Sequence, residues 1–444
     1  MEKIKTTIKS IIESKYFMIV LALITIFSYS INVPFIAYLT LVIIITPTLL
    51  LKAEPKAIIG YFMLSAFSDR SKGLNKIEII ILLIVSIPAI LSLIYYIIKN
   101  YKYIYETLRS DVIFMILTLI IILALVSILN SPDRAQSLKG VRFLLSSLII
   151  YVSARLLVHD KNYLAYSIII LSISLCIMLF INIGFSLNEG NSFEYILNTK
   201  CLNIGNSHQN HIMSIINISF VVSLYYFINN KNVGARILVL INMALFFITN
   251  VISACRAGYL GLIVTAPFMI AYYIKYHKKI KDDIPYAIVI IIGFLAAVIA
   301  LLGLGYLDTV FSNLVHRGFY LSERDKIYEY AFDIFKESPL IGRGIFSANY
   351  YLKPIGLDVF YYHSYIFQTI AELGIFGAIL ALGFLGFSIK RVLKNDIFNM
   401  MVLLVIIYFL SNGALDTLFY NRIIMPLLLV PLALIRDEKN RYSY

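Results

Sequence analysis

The chain has 444 residues, of which 60% are hydrophobic and only 14% charged, and its mean hydropathy is +0.85. A soluble protein carries about 45–50% apolar and roughly 25% charged residues, so this chain lacks the polar surface for a water-facing fold; a soluble enzyme, a disordered regulator and a nucleic-acid-binding module are excluded together. The 38 Lys and Arg against 25 Asp and Glu give a net charge of +13, which in a polytopic membrane protein belongs to cytoplasmic loops. Three cysteines, Cys176, Cys201 and Cys255, show no paired spacing, so neither a disulfide framework nor a metal site is indicated. Trp is absent, leaving 33 Tyr and 29 Phe to supply interfacial aromatics.

Crossing a hydrocarbon core of about 30 Å takes about 20 mostly apolar residues, and such runs recur along the chain. They predict an all-α polytopic fold with about 12–14 transmembrane helices, near 16–32, 34–51, 77–98, 111–130, 141–158, 163–187, 211–228, 236–253, 257–275, 284–306, 364–388, 397–412 and 418–435. A shorter apolar piece at 56–67 reads either as a further span or as a re-entrant segment. The first run carries no cleavage site and reads as a retained anchor. Three regions follow: a transmembrane bundle over 1–306, an extracytoplasmic loop over 307–363, and helices with a cytoplasmic tail over 364–444.

Cations mark the sides. Lys3, Lys5, Lys9 and Lys15 precede the first span; Lys99, Lys102 and Arg109 fill one loop, Lys275, Lys278, Lys279 and Lys281 another, and Lys390, Arg391 and Lys394 a third, with Arg436, Lys439 and Arg441 in the tail. If 56–67 crosses, all of these share one side, which is then cytoplasmic, as are both termini. The loop from Leu307 to Tyr362 falls on the other side and is nearly charge-balanced. Within it, Ile327, Tyr330, Ala331, Ile334 and Phe335 have the spacing of an amphipathic helix over Lys326–Lys336. Ser338-Pro339 ends that helix, and Gly342 and Gly344 make a tight turn.

Polar groups bordering the apolar runs are the chemical candidates, because an ionised Arg at a helix centre costs at least about 2.5–3.5 kcal/mol. Arg256 separates two runs that as one helix would be about 55 Å long, so the chain turns at Ser253-Ala254-Cys255-Arg256-Ala257-Gly258. Two roles fit it: snorkelling to headgroup phosphates, or holding a phosphate bidentately in a low-dielectric cavity. His363 opens a span at the outer boundary and suits either structural hydrogen bonding or a general base accepting a hydroxyl proton. Its company is Arg256, Arg324 and Arg343 on the same face. His208 and His211 form a polar lip for sugar hydroxyls or an ordinary helix cap; their spacing is poor for a metal. Asp416 and Arg422 begin the last span, where they can pair with each other. There is no Gly-rich phosphate loop and no nucleophilic elbow.

Three pieces, in order, resemble the O-antigen ligase and polymerase family of bacterial surface-polysaccharide enzymes. Ser253 to Gly258 is similar to its Ser/Thr-x-x-Arg-small-small motif. Glu323-Arg324-Asp325-Lys326-Ile327-Tyr328, continuing through Lys336-Glu337-Ser338-Pro339-Leu340-Ile341-Gly342-Arg343-Gly344, resembles its Arg-led amphipathic helix followed by Pro-x-x-Gly-x-Gly. His363-Ser364-Tyr365-Ile366-Phe367 through Glu372-Leu373-Gly374-Ile375-Phe376-Gly377 resembles its His-Asn and Glu-x-Gly-x-x-Gly signature, with Ser364 where the family usually has Asn. The motifs cover roughly residues 205–380.

The resemblance implies an inverting, metal-independent glycosyltransferase without cofactor in the bacterial inner membrane. Its donor would be an undecaprenyl-diphosphate-linked glycan and its acceptor another lipid-linked repeat unit or lipid A–core, met at the outer face. Arg256 and Arg324 would hold the diphosphate and His363 would take the acceptor proton; Arg343, His208, His211 and Arg422 would bind substrate. A repeat-unit polymerase is preferred to an O-antigen ligase. A lipid-glycan flippase ranks last, because the two halves look dissimilar and the polar residues cluster at one surface.

Overall fold

A computed structural model of the protein describes residues 2–435 apart from 52, 55, 70–72, 200–202, 205–206, 254, 278–284, 287, 289–294, 296–298, 300–323, 358, 360 and 395. Most of the span expected over 284–306, the loop as far as residue 323, Gly205, Asn206, Ala254 and the basic tail therefore lie outside the described residues. Among the described residues all regular structure is helical, and the only strand-like feature is an isolated bridge between Ile204 and Ser207. The all-α reading holds. Among the same residues eight helices are long and apolar enough to cross a membrane, nine if the bent pair Glu2–Glu13 and Lys15–Ser30 counts as one span.

Local sequence sets the helix ends. Asn75 and Glu78 form a reciprocal capping box on Lys76–Lys99. Asp111 accepts from the Ile113 and Phe114 amides at the start of Val112–Ser127, and Asp160 caps Lys161–Asn188 in the same way. The expected spans that come out short do so at both ends of the chain. The piece at 56–67 is a helix over Lys56–Ser65, and the last span contracts to Met425–Leu434 after a 3-10 turn at Leu418–Tyr420. Ten residues rise about 15 Å, half the hydrocarbon core, so neither helix is long enough to cross by itself.

The chain divides into two compact units. One comprises 1–101, 157–258 and 267–317; the other comprises 102–156, 259–266 and 318–444. In the first, Lys161–Asn188 and Gln209–Asn229 are central, each 78% buried over its apolar window, whereas Lys76–Lys99 is 11% buried and presents its Ile and Leu side chains outward as a lipid-facing helix does. A side chain at Gly60 would come within 2.9 Å of the Ser167 Cβ, so this glycine lets the short 56–65 helix approach the central one closely.

In the second unit Tyr365–Val392 packs along Val112–Ser127, and all ten residues of Met425–Leu434 are buried. Tyr365–Val392 is not one straight helix. Gly374, at φ 66° and ψ −161°, breaks it, in a conformation essentially restricted to glycine. The loop 339–344 fills the break: Arg343 N donates to Ala371 O and Gly344 N to Glu372 O, both at 3.0 Å, while Ile375 N donates to Pro339 O at 2.8 Å and Phe376 N to Leu340 O at 3.3 Å. Irregular backbone at membrane depth is tolerated where protein satisfies it, and these four bonds do so. A Cβ at Gly374 would sit 2.5 Å from the Leu340 carbonyl carbon, and one at Gly342 would run into the Glu372 backbone. Gly374→Ala is therefore expected to cost about 2 kcal/mol or more, read as a lower melting temperature of the purified protein.

Candidate active site

The outer-loop helix runs over Arg324–Glu337. Ile327, Ala331 and Ile334 are buried as the spacing predicts, in one core with Ala348, Leu352, Tyr362 and Ala371. Tyr330 is exposed, against expectation, and Tyr328 takes the inward place, its ring stacked on Phe367 with centroids 4.4 Å apart. That stacking brings the Tyr328 hydroxyl to the His363 carbonyl, to which it donates at 3.1 Å.

His363 sits at φ 51°, a left-handed backbone for a residue with a Cβ. Its Nδ1 is 4.0 Å from Asp416 Oδ1, with the imidazole 30% accessible and the carboxylate 3%. Asp416 Oδ1 also accepts the Thr417 amide at 2.7 Å. The sequence offered Arg422 as the partner of Asp416; the structure brings it to the histidine. Arg324 lies one helical turn before Tyr328 and acts on its hydroxyl together with Asp416; burial is the larger influence and raises the Tyr328 hydroxyl above the usual phenol range. Burial likewise pushes the Tyr361 hydroxyl up to about 12, with Arg422 pulling the other way, so Tyr361 remains a proton donor at neutral pH. His363, Asp416, Arg324, Tyr328, Tyr361 and Arg422 thus form one electrostatic neighbourhood.

Arg343 is engaged elsewhere. Its Nη2 donates to Glu337 Oε2 at 2.8 Å, in a pair whose side chains are 33% and 51% exposed. Two residues after His363, Tyr365 lines an apolar cavity whose walls include Leu117, Phe143, Phe384, Phe419 and Tyr420. The Thr369 and Tyr420 hydroxyls meet at 2.8 Å in that wall.

In the first unit the expected turn separates helix Val233–Ser253 from helix Arg256–Tyr276, with Cys255 as the N-cap residue of the second. Arg256 is half-buried at that N-terminus. Polar side chains tie the turn to the start of Gln209–Asn229: Gln209 Nε2 donates to Ser253 O at 3.3 Å, and Cys255 Sγ to Asn210 Oδ1 at 3.4 Å. A Cβ at Gly258 would stand 2.8 Å from Asn217 Nδ2, and Asn217 Oδ1 accepts from Asn250 at 3.0 Å. His208 caps the Gln209–Asn229 helix, its Nδ1 accepting the Asn210 amide at 3.2 Å. The His208 and His211 rings lie edge to face at 6.3 Å.

Sequence reasoning passed over Asp416 as a partner of His363, and also Arg155. A signal existed for both: each is an ionisable residue within or beside an apolar run, where a charge needs a partner.

Residues 241–382 match the O-antigen ligase family. That stretch holds Arg256, Arg324, Arg343 and His363 together with both glycine motifs, and stops short of Asp416 and Arg422. No curated protein matches the chain significantly.

Proposed function

We propose, from the match of residues 241–382 to the O-antigen ligase family, that the protein is a membrane glycosyltransferase that transfers an undecaprenyl-diphosphate-linked glycan to an acceptor sugar hydroxyl at the outer face of the bacterial inner membrane. The observation that carries this reading is the His363–Asp416 pair, which shares its electrostatic neighbourhood with Arg324. An imidazole backed by a carboxylate suits a base that must hold the proton it takes, and Asp416 stabilises the imidazolium. The acceptor hydroxyl loses its proton to His363, its oxygen bonds to the anomeric carbon from the face opposite the leaving group, and the carbon–oxygen bond to the diphosphate breaks. The lipid diphosphate leaves with the electron pair, and Arg324 offsets the charge that builds on it. The result is inversion, without a metal. Residues lining the apolar cavity offer a lipid tail a dry surface.

The outer location is supported helix by helix. His363 precedes a helix whose other end carries Lys390 and Arg391, and Arg256 opens one whose other end carries Lys275; basic ends face the cytoplasm. Arg256, in the first unit, is assigned to the diphosphate by the family motif it matches, Arg422, His208 and His211 to substrate binding, and Arg343 to the framework that its pair with Glu337 fixes. Repeat-unit polymerisation is the preferred reaction, and ligation to lipid A–core is the second reading. A deletion strain separates them: single repeat units on the surface anchor mark a lost polymerase, and full-length chains retained on the carrier lipid mark a lost ligase.

The direct test is turnover of a synthetic polyprenyl-diphosphate oligosaccharide by the purified protein in detergent, where there are no compartments to transport between. Arg324→Ala and Arg256→Ala are each expected to lower the rate by about 10²–10³-fold while leaving the yield of membrane-inserted protein unchanged. Wild-type turnover in both variants would remove the diphosphate assignment.

A further inference from the structure

Glu372 lies within the Tyr365–Val392 helix and is fully buried, yet the chemistry above makes no use of it. A buried carboxyl group needs hydrogen-bond partners, and here the partner is a side chain of its own helix. Gln368, one turn earlier and also fully buried, donates its Nε2 to Glu372 Oε1 at 2.5 Å. The Gln368 Oε1 accepts the Tyr362 backbone N–H at 2.7 Å. The order of donors is forced: a backbone N–H can only donate, so the Gln368 oxygen faces Tyr362, its NH2 faces Glu372, and Glu372 must accept.

One helix face thus grips the end of the 346–362 segment that delivers His363. That end needs gripping, because His363 at φ 51° is one of the three non-glycine residues with positive φ among the described residues, a backbone that a Cβ disfavours. The amide held by Gln368 belongs to the residue before His363. An apolar side chain at 372 would leave the buried Gln368 NH2 without its acceptor.

We propose that Gln368 and Glu372 are a positioning pair: Gln368, anchored by Glu372, holds the Tyr362 amide, fixes the left-handed backbone at His363 and so sets its imidazole against Asp416. This rests on the reading of His363 as the base. The pair touches no substrate, and its effect should fall on the chemical step rather than on donor binding.

The test measures kcat and KM of the purified full-length protein with a polyprenyl-diphosphate oligosaccharide. Gln368→Met keeps the length of the side chain and removes both hydrogen bonds; it is expected to lower kcat by about 10²-fold with KM nearly constant, because a displacement of about 1 Å at a reacting group has that effect. Gln368→Glu sets two carboxylates together and is expected to be inactive. Adding Glu372→Gln to it reverses the donor order without loss. The carboxylate now at position 368 would accept from the Tyr362 amide, and the amide side chain now at position 372 would donate to that carboxylate. This swapped pair should recover at least about tenfold of the lost kcat. A Gln368→Met protein with near-normal kcat, while His363→Ala is inactive, overturns the inference and leaves the functional reading standing; an active His363→Ala protein overturns both. Should Gln368→Met fail to accumulate, the swapped pair decides alone, and a folded but inactive swap refutes the proposal.

Discussion

His363→Ala is expected to stop glycan transfer while the protein still inserts and folds. The loss is put at about 10²–10⁴-fold, the usual contribution of a positioned base, and the accessible surface left on the imidazole means that its removal opens no large cavity. His363→Gln is the sharper variant, because it preserves volume and some hydrogen bonding but cannot carry the proton. Both should leave the glycan on its carrier lipid in vivo and give no product in the detergent assay. Asp416→Asn should cost less, since it weakens the imidazolium without removing the base, and an asparagine can still accept the Thr417 amide that Asp416 now holds. Equal activity of His363→Gln and the parent protein would leave the pair at 4.0 Å without a catalytic role.

The second large effect is on stability. Asp111 is 1% exposed and binds three groups: Arg391 Nη2 at 2.7 Å, Arg155 Nε at 3.1 Å and the Tyr151 hydroxyl at 2.8 Å. Two cations face one carboxylate, so the three single replacements are not equivalent. Arg391→Ala leaves a neutral Asp111–Arg155 pair, whereas Asp111→Ala leaves two buried guanidiniums unbalanced and also uncaps Val112–Ser127. Breaking a buried ion pair costs about 3–5 kcal/mol, and the lost cap adds about 1 kcal/mol. Asp111→Ala should therefore be the worse of the two, seen as the lower melting temperature and the smaller yield of monodisperse protein. Acid should mimic it. Burial alone would raise the Asp111 carboxyl, but Arg391 and Arg155 outweigh burial and hold it below the ordinary value. A folded value below the unfolded one, which is about 3.9, means that the stabilisation is complete above about pH 4 and is lost as pH falls through the folded value. The parent protein should lose melting temperature on acidification in that range, and Asp111→Asn should lose less.

What the sequence made legible was local. Run lengths located the helices, and the turn at Ser253–Gly258 followed from two apolar stretches too long for one crossing. The Arg324-led helix followed from spacing, and the two glycine turns followed from Pro339, Gly342 and Gly344. The rest depends on partners far apart in the chain. Glu372-Leu373-Gly374-Ile375-Phe376 reads as uninterrupted helix, because nothing within it reveals that a loop from 339–344 will occupy the break. Asp416 read as a partner for nearby Arg422, and its approach to His363 spans 53 positions, as their numbering shows. Arg391 read as one more loop cation beside Lys390 and Lys394, although the structure turns it inward to a carboxylate 280 positions away. Hydropathy counts such a residue by type, and only packing reveals which cation is solvated and which is enclosed.

The enclosed arginines also bear on how the protein is put together. Arg155 donates to Ala433 O at 3.0 Å and to Ile435 O at 2.6 Å, binding the carbonyl end of the Met425–Leu434 helix. That end carries partial negative charge, so the final apolar helix supplies the counterweight to the second guanidinium. Until it arrives, Arg155 and Arg391 share a single carboxylate in a low-dielectric setting. Docking of the Met425–Leu434 helix thus completes the charge balance of the cluster, and a protein in which that helix is not docked is expected to melt at a lower temperature.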